Sequence, residues 1–127
     1  MKIGTHIAFN FFSGMALGFS YPQSAFLAVG GIVPDVLDRL FSLGLPFLWH
    51  GVHRKISHWP WPYLAGAIFL NGVPQLLILG AFLHCLLDSF TPSGIPLLNP
   101  FSCEHRLSFR LIRTGSVAEI LVIALPL

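Results

Sequence analysis

An apolar run that ends in two ionisable side chains limits the folds open to this chain. In the segment AFLHCLLDSFTPSG, residues 81–94, His84 and Asp88 are four positions apart, which places them one turn apart on one face of a helix. Such groups are costly in apolar surroundings unless they are paired or bind a ligand. An imidazole and a carboxylate at this spacing can share one metal ion. The alternative is a hydrogen-bonded histidine beside a helix-terminal aspartate, because Pro92 and Gly94 end the helix there.

The composition indicates a membrane protein of one domain. The chain has 127 residues, of which 54% are hydrophobic and 9% are charged, and its mean hydropathy is +0.76. In soluble domains about a quarter of the residues are charged. We therefore expect a single membrane-embedded domain over residues 1–127. A net charge of +2 provides no basic stripe of the kind that binds nucleic acid, so no nucleic-acid partner is expected.

The apolar stretches and the turn signals between them predict an all-α bundle of four to five short helices. They are residues 5–19, 25–43, 63–70, 75–90 and 117–127, with loops at 44–62 and 92–113. The glycine pair at 30–31 and Pro34 are expected to interrupt the second helix. The NGVP turn at 71–74 divides an apolar run that is otherwise long enough for one membrane span. The N-terminal run is expected to be a retained helix capped by Thr5, since a single lysine is a poor signal-peptide positive region.

This division of the chain gathers the polar side chains at one end of the bundle. The candidate metal ligands and acids are His6, Asp35, Asp38, His53, His58, His84 and Asp88. The turns at 21–24 and 71–74, at the far end, contain no ionisable group. The lysines and arginines are also expected at this end or in the segment that follows it. They are Lys2, Arg39, Arg54, Lys55, Arg106, Arg110 and Arg113. By the positive-inside rule this end faces the cytoplasm; some of the cations could instead bind a phosphate or anionic lipid headgroups.

Four imidazoles and three carboxylates suit zinc or a similar divalent ion and exceed the needs of one tetrahedral site. We expect one to three ions; a pair about 3.5–4 Å apart would bind a hydroxide and clamp the oxygens of a phosphoryl or acyl group. Asp38 is the candidate general base. Arg54 is the second catalytic candidate, or else an ion-pair partner of an aspartate. His50 and His105 lie outside the pattern and are interpreted as loop residues.

Several motifs carry a resemblance to a known family. They are TH at 5–6, VPDVLD at 33–38, HRKISH at 53–58 and LHCLLDSFTPSGIPLLNP at 83–100. On these the chain resembles, over residues 5–110, the YdjM-like inner-membrane proteins described as metal-dependent hydrolases. It is more distantly similar to zinc-dependent phospholipase C and single-strand-specific nucleases, all-helical enzymes in which a His-x-x-x-Asp pair on one helix binds zinc. His84 and Asp88 match that pair.

Two positions depart from the family pattern. The family usually has Asp-x-Asp after the proline, whereas Asp35 and Asp38 are three positions apart, which leaves Asp35 as the implied ligand. Ser57 stands where relatives usually have threonine, and it keeps the hydroxyl. The resemblance implies metal binding by His6, Asp35, His53, His58, His84 and Asp88.

The combined expectation is a metal-dependent hydrolase in a bacterial or archaeal cytoplasmic (inner) membrane. It would cleave a phosphoester or ester bond, plausibly of a lipid, with membrane lipid as its partner and a homo-oligomer as a further expectation. One alternative is a non-catalytic, metal-stabilised membrane protein such as a sensor, an adaptor or a subunit of a membrane complex. A transporter or proton-relay component would place charged residues along the bundle axis instead of at one end.

Overall fold

The computed structural model describes residues 1–45, 47–48, 51, 53–101, 105–124 and 126. The elements in chain order are α1 (Ile3–Ala16), α2 (Tyr21–Gly30), α3 (Val33–Phe41), a 3-10 turn (Ile56–His58), α4 (Pro60–Phe69), α5 (Val73–Ser89), β1 (Ile95–Pro96), β2 (Arg106–Leu107) and α6 (Val117–Ile123). The helical prediction is confirmed in its main part. The small antiparallel sheet, in which Ile95 pairs with Leu107, was not expected from the sequence. Trp49, His50 and Cys103 lie outside the described residues.

The interruption expected in the second predicted helix, 25–43, is confirmed, and the start of that helix differs from the prediction. The helix is divided because α2 ends at Gly30 and α3 starts again with Pro34 in its first turn, where proline needs no hydrogen-bond partner. The expected turn at 21–24 is helical instead. Ser20 and Gln23 form a capping box there, and the Ser20 N–H donates to the Gln23 side chain at 2.9 Å, so α2 begins earlier.

Helix α5 is the centre of the fold. It packs against α2 and α4 and also contacts α1 and α3. The backbones of α2 and α5 approach closely at Gly80, where a side-chain carbon would collide with the carbonyl oxygen of Leu27. Asn10 of α1 donates from Nδ2 to the Gly80 carbonyl at 3.1 Å. Three helices therefore meet at one backbone contact, which places the end of α5 that carries His84 beside α1 and α2.

The segment predicted as a loop at 92–113 supports the site through its strands. The backbone of Gly94 has φ +58°, and a Cβ there would collide with the Leu107 carbonyl oxygen. Arg106 of β2 donates from Nη2 to the carbonyl of Arg54 at 2.9 Å and to that of Gly94 at 3.3 Å. The strand pair therefore holds the polar loop that contains Arg54.

A buried carboxylate joins the last helix to the first. Glu119 of α6, which is 3% exposed, accepts hydrogen bonds from the Lys2 N–H at 2.7 Å and the Thr5 hydroxyl at 2.8 Å. Its other oxygen accepts from the Gly115 N–H at 2.5 Å. Thr5 is thus not the N-cap of α1, a position held by Lys2. The carboxylate fixes the start of α1, where His6 lies.

Many apolar side chains are exposed on the surface of the protein, and many polar side chains are buried in its interior. Among the described residues, buried polar and charged side chains outnumber buried hydrophobic ones, and many large hydrophobic side chains are more than half exposed. No described helix combines the length and the apolar character that a bilayer crossing requires; the longest, α5, has 17 residues. The expectation of helices that cross the membrane is therefore not met by the described residues.

We predict that Gly80→Ala destabilises the fold by about 1–3 kcal/mol, because the added methyl overlaps the α2 backbone and overpacking costs this much. The measurement is thermal unfolding in detergent followed by circular dichroism. Gly4→Ala in α1 is the matched control, since no atom lies within 4 Å of its Cβ position. Equal unfolding temperatures for the two variants would contradict the proposed contact.

Candidate metal centre

Only one ring nitrogen of His84 is available to bind a metal ion, because the other is hydrogen-bonded to the backbone. Its Nδ1 lies 2.6 Å from the carbonyl oxygen of Gly31, which can only accept, so Nδ1 carries the proton and Nε2 carries a lone pair. The side chain is fully buried. Burial lowers the pKa of His84 to about 4, so the ring is neutral at pH 7, the form that binds metal.

His58, in the 3-10 turn, is oriented in the same manner. Its Nδ1 lies 3.0 Å from the Ser57 hydroxyl oxygen, and that hydroxyl donates in turn to Asp38 Oδ1. The His58 proton is therefore on Nδ1, and its Nε2 lone pair faces His84 Nε2 at 3.1 Å. Burial holds the pKa of His58 well below its usual value. Two lone pairs at this distance repel each other unless a proton or a metal ion lies between them, which makes the pair a candidate for metal binding.

Two carboxylates lie close to the Nε2 atoms of His58 and His84. The Nε2 of His58 lies 3.6 Å from Asp35 Oδ1 and 3.5 Å from Asp88 Oδ2. The corresponding distances from Nε2 of His84 are 3.8 and 3.7 Å. A tetrahedral zinc ion with ligand bonds of about 2.0–2.1 Å places its ligand atoms about 3.3 Å apart. The five distances given above, 3.1–3.8 Å, are near this value, and the two imidazoles with a carboxylate fit a divalent ion.

His6 extends the group beyond Asp88. Its ring stacks on that of His84, with centroids 3.6 Å apart, and its Nε2 lies 3.5 Å from Asp88 Oδ1. Because Oδ2 of Asp88 faces His58 and His84 and Oδ1 faces His6, this carboxylate links His6 to the other candidate ligands. The Met1 nitrogen also lies 2.8 Å from Oδ1.

Asp38 lies behind His58 and is fully buried. It accepts hydrogen bonds from the Arg54 backbone N–H at 3.1 Å and from the Ser57 hydroxyl, and its Oδ2 lies 2.5 Å from His53 Nδ1. A carboxylate behind a ligating imidazole orients the ring and makes it a stronger ligand. The assignment of Asp38 as the general base stays a prediction, but its oxygens have no surface from which to reach a substrate.

Arg54 and His53 connect the centre to a cavity. Arg54 Nη2 lies 3.2 Å from Asp88 Oδ1, and its Nη1 donates to the Thr91 hydroxyl at 2.7 Å. The His53 side chain is 29% exposed. Both residues, with Asp35 and Asp88, line a cavity of about 470 Å³.

All the ligands and catalytic residues predicted from the sequence come together in the structure. Asp35, Asp38, His53 and His58 form one group of mutually close ligand atoms, and His6, His84 and Asp88 form the other. Sequence reasoning missed the Gly31 carbonyl and Glu119. The carbonyl carries no side-chain signal, and the only hint for Glu119 was a carboxylate within an apolar stretch.

Comparison with known proteins supports the membrane context. The profile of the family described as "YdjM inner membrane protein" matches residues 1–126. No curated protein matches the chain, and no solved structure does.

We predict that the purified protein contains a tightly bound divalent ion and that His84→Ala loses it, because the variant removes one of four ligand atoms. Inductively coupled plasma mass spectrometry measures the metal content. His105→Asn is the control, since His105 is exposed and outside the centre, and asparagine tolerates its positive φ. Equal metal content in both variants would refute the centre.

We predict that Asp38→Asn weakens metal binding about 10–100-fold, the usual effect of losing the carboxylate behind a ligand. Competition with a chromophoric chelator measures the affinity. If Asp38 is instead the general base, the variant keeps its metal affinity and loses only turnover, so the two roles give opposite results.

Proposed function

The chain belongs to the YdjM inner membrane protein family, and from this premise we propose that it is a membrane-bound metal-dependent hydrolase of phosphoester or ester bonds. One observation carries the proposal. The Nε2 atoms of His58 and His84 lie 3.1 Å apart, and each lies 3.5–3.8 Å from a carboxylate oxygen of Asp35 and from one of Asp88, beside a cavity of small-molecule size.

The chain's own residues would divide the chemistry between them. A bound divalent ion supplies Lewis acidity and lowers the pKa of a coordinated water. Two imidazoles and two carboxylates are a ligand set that zinc accepts, so we propose zinc. The His58 ring keeps its proton on Nδ1, toward Ser57, and offers Nε2 to the ion. Arg54 holds its guanidinium at the cavity floor, where it can donate to an oxygen that gains negative charge during the reaction.

The surface supports a position in the membrane. Exposed Tyr21 and Phe69 lie in α2 and α4, and exposed Leu17 and Leu43 lie just after α1 and α3; apolar area of this extent is typical of protein or membrane contact. We propose that this surface contacts lipid and that the end bearing the cations faces the cytoplasm. A homo-oligomer stays a prediction.

A second candidate function has an observation of its own. Four protein ligands saturate a tetrahedral ion and leave no open position for water, as in structural zinc sites. The chain would then be a metal-stabilised sensor, adaptor or subunit without turnover. A catalytic centre instead requires a further coordination position, or a second ion near Asp88 Oδ1 and His6.

We predict that zinc-loaded protein in detergent hydrolyses at least one member of a panel of phosphomonoester, phosphodiester and carboxylic ester lipids. Turnover should stop with a chelator and return with zinc. Arg54→Gln should keep its metal and lose about 10²-fold in kcat, as for the loss of one donor to a developing oxyanion. Metal-loaded wild type that turns over no lipid in the panel would favour the structural alternative.

A further inference from the structure

The cavity beside the metal centre is lined by two kinds of side chain. The polar ones include Asp35, Arg54 and Asp88. The apolar ones, here called the apolar wall, include Ile3, Ile32, Val36 and Leu45. The cavity volume of about 470 Å³ fits a small ligand and not a whole two-chain lipid. A ligand that satisfies both kinds of side chain has a polar head and a single apolar chain.

Arg39 supplies the charge that selects the head. It lies one turn after Asp35 in α3, on the same helix face, and it lines the cavity. In the described part of the chain its guanidinium has no hydrogen-bond or ion-pair partner, whereas Arg54 is bonded to Asp88 and Thr91.

The neighbouring carboxylates do not neutralise Arg39. Asp38 is hydrogen-bonded to residues of the loop that follows α3, and Glu119 accepts hydrogen bonds at the start of α1. The Asp35 carboxylate faces His58 and His84. The planar guanidinium offers five N–H donors, two of which can bind one oxyanion side by side. An anion at this position would lie at the cavity rim, one helical turn from the metal ligand Asp35.

Exposed apolar side chains lie in and beside the cavity. Val36 and Leu45 line it and are 47% and 41% exposed, and Leu40, the residue after Arg39, is 63% exposed. These side chains would allow the apolar chain of an amphiphile to reach the cavity from the protein surface.

We propose that this cavity binds a single-chain amphiphile with an oxyanion head, phosphate or carboxylate, and that Arg39 binds the head while the apolar wall takes the first methylenes of the chain. If the amphiphile is the substrate, this proposal rests on the proposed hydrolase function. The binding of the amphiphile is argued only from the cavity, the apolar wall and the Arg39 guanidinium, which has no partner among the described residues. Arg39 is then a specificity-determining residue for the ligand head.

The test measures binding with probes that no hydrolase can cleave. Octylphosphonate, methylphosphonate and octanol are titrated by calorimetry, below their aggregation limits, into zinc-loaded protein in detergent. Wild type is expected to bind octylphosphonate more tightly than methylphosphonate, which lacks the chain, and more tightly than octanol, which lacks the charge. Equal affinity for octyl- and methylphosphonate would overturn the role of the apolar wall.

Matched arginine variants isolate the head contact. Arg39→Gln should weaken octylphosphonate binding about 10–100-fold, the usual effect of a lost hydrogen bond to a charged group, and should leave octanol binding and metal content unchanged. Arg113→Gln, an exposed arginine outside the cavity, should bind octylphosphonate as wild type does. Unchanged octylphosphonate binding in Arg39→Gln would overturn the proposal.

Failure of this inference and failure of the hydrolase proposal give different results. Arg39-dependent binding without any turnover would preserve the cavity assignment and reject the hydrolase. Turnover of lipid esters with identical KM in wild type and Arg39→Gln would preserve the hydrolase and reject the role of Arg39.

Discussion

The convergence of His58 Nε2 and His84 Nε2 is the interaction on which the polar end of this protein depends. Each ring has its proton on the opposite side, toward Ser57 or Gly31, so two lone pairs and two carboxylates face one small volume. Acceptor atoms this close repel one another unless a proton or a cation lies between them. A bound cation would link α3, the 3-10 turn and α5 through these residues.

The rest of the fold holds those atoms in place with short, specific contacts. Gly80 lets α5 lie against the α2 backbone, and this closeness brings the Gly31 carbonyl to His84. Glu119 holds the beginning of α1, and thereby His6. Because these contacts involve backbone groups or a buried charge with specific partners, few alternative packings satisfy them, which favours a defined centre over a mobile one.

The distribution of polarity relates the site to the membrane. In a water-soluble domain the apolar side chains fill the interior, whereas here many are exposed and the described interior is rich in hydrogen-bonded polar groups. Burying charged groups is costly unless they are paired, and here Asp88 has Arg54 and His6 as partners. Exposed apolar side chains around a buried polar site are the arrangement expected of a protein whose surface contacts lipid. The cavity with Arg39 at its rim is where these two environments meet.

Local sequence by itself determined most of the helices, the breaks near residues 30–34 and 71–72, and the pairs spaced about one turn apart, His84 with Asp88 and Asp35 with Asp38. These follow from helical periodicity, which neighbouring residues encode. The tertiary structure alone decided which nitrogen of each histidine faces the centre, that Asp38 lies behind His58, and that Glu119 joins the two ends of the chain. The Gly31 carbonyl that orients His84 is 53 positions away, and Glu119 is 114 positions from Thr5. Such contacts depend on how helices pack, and no local pattern in the sequence specifies them.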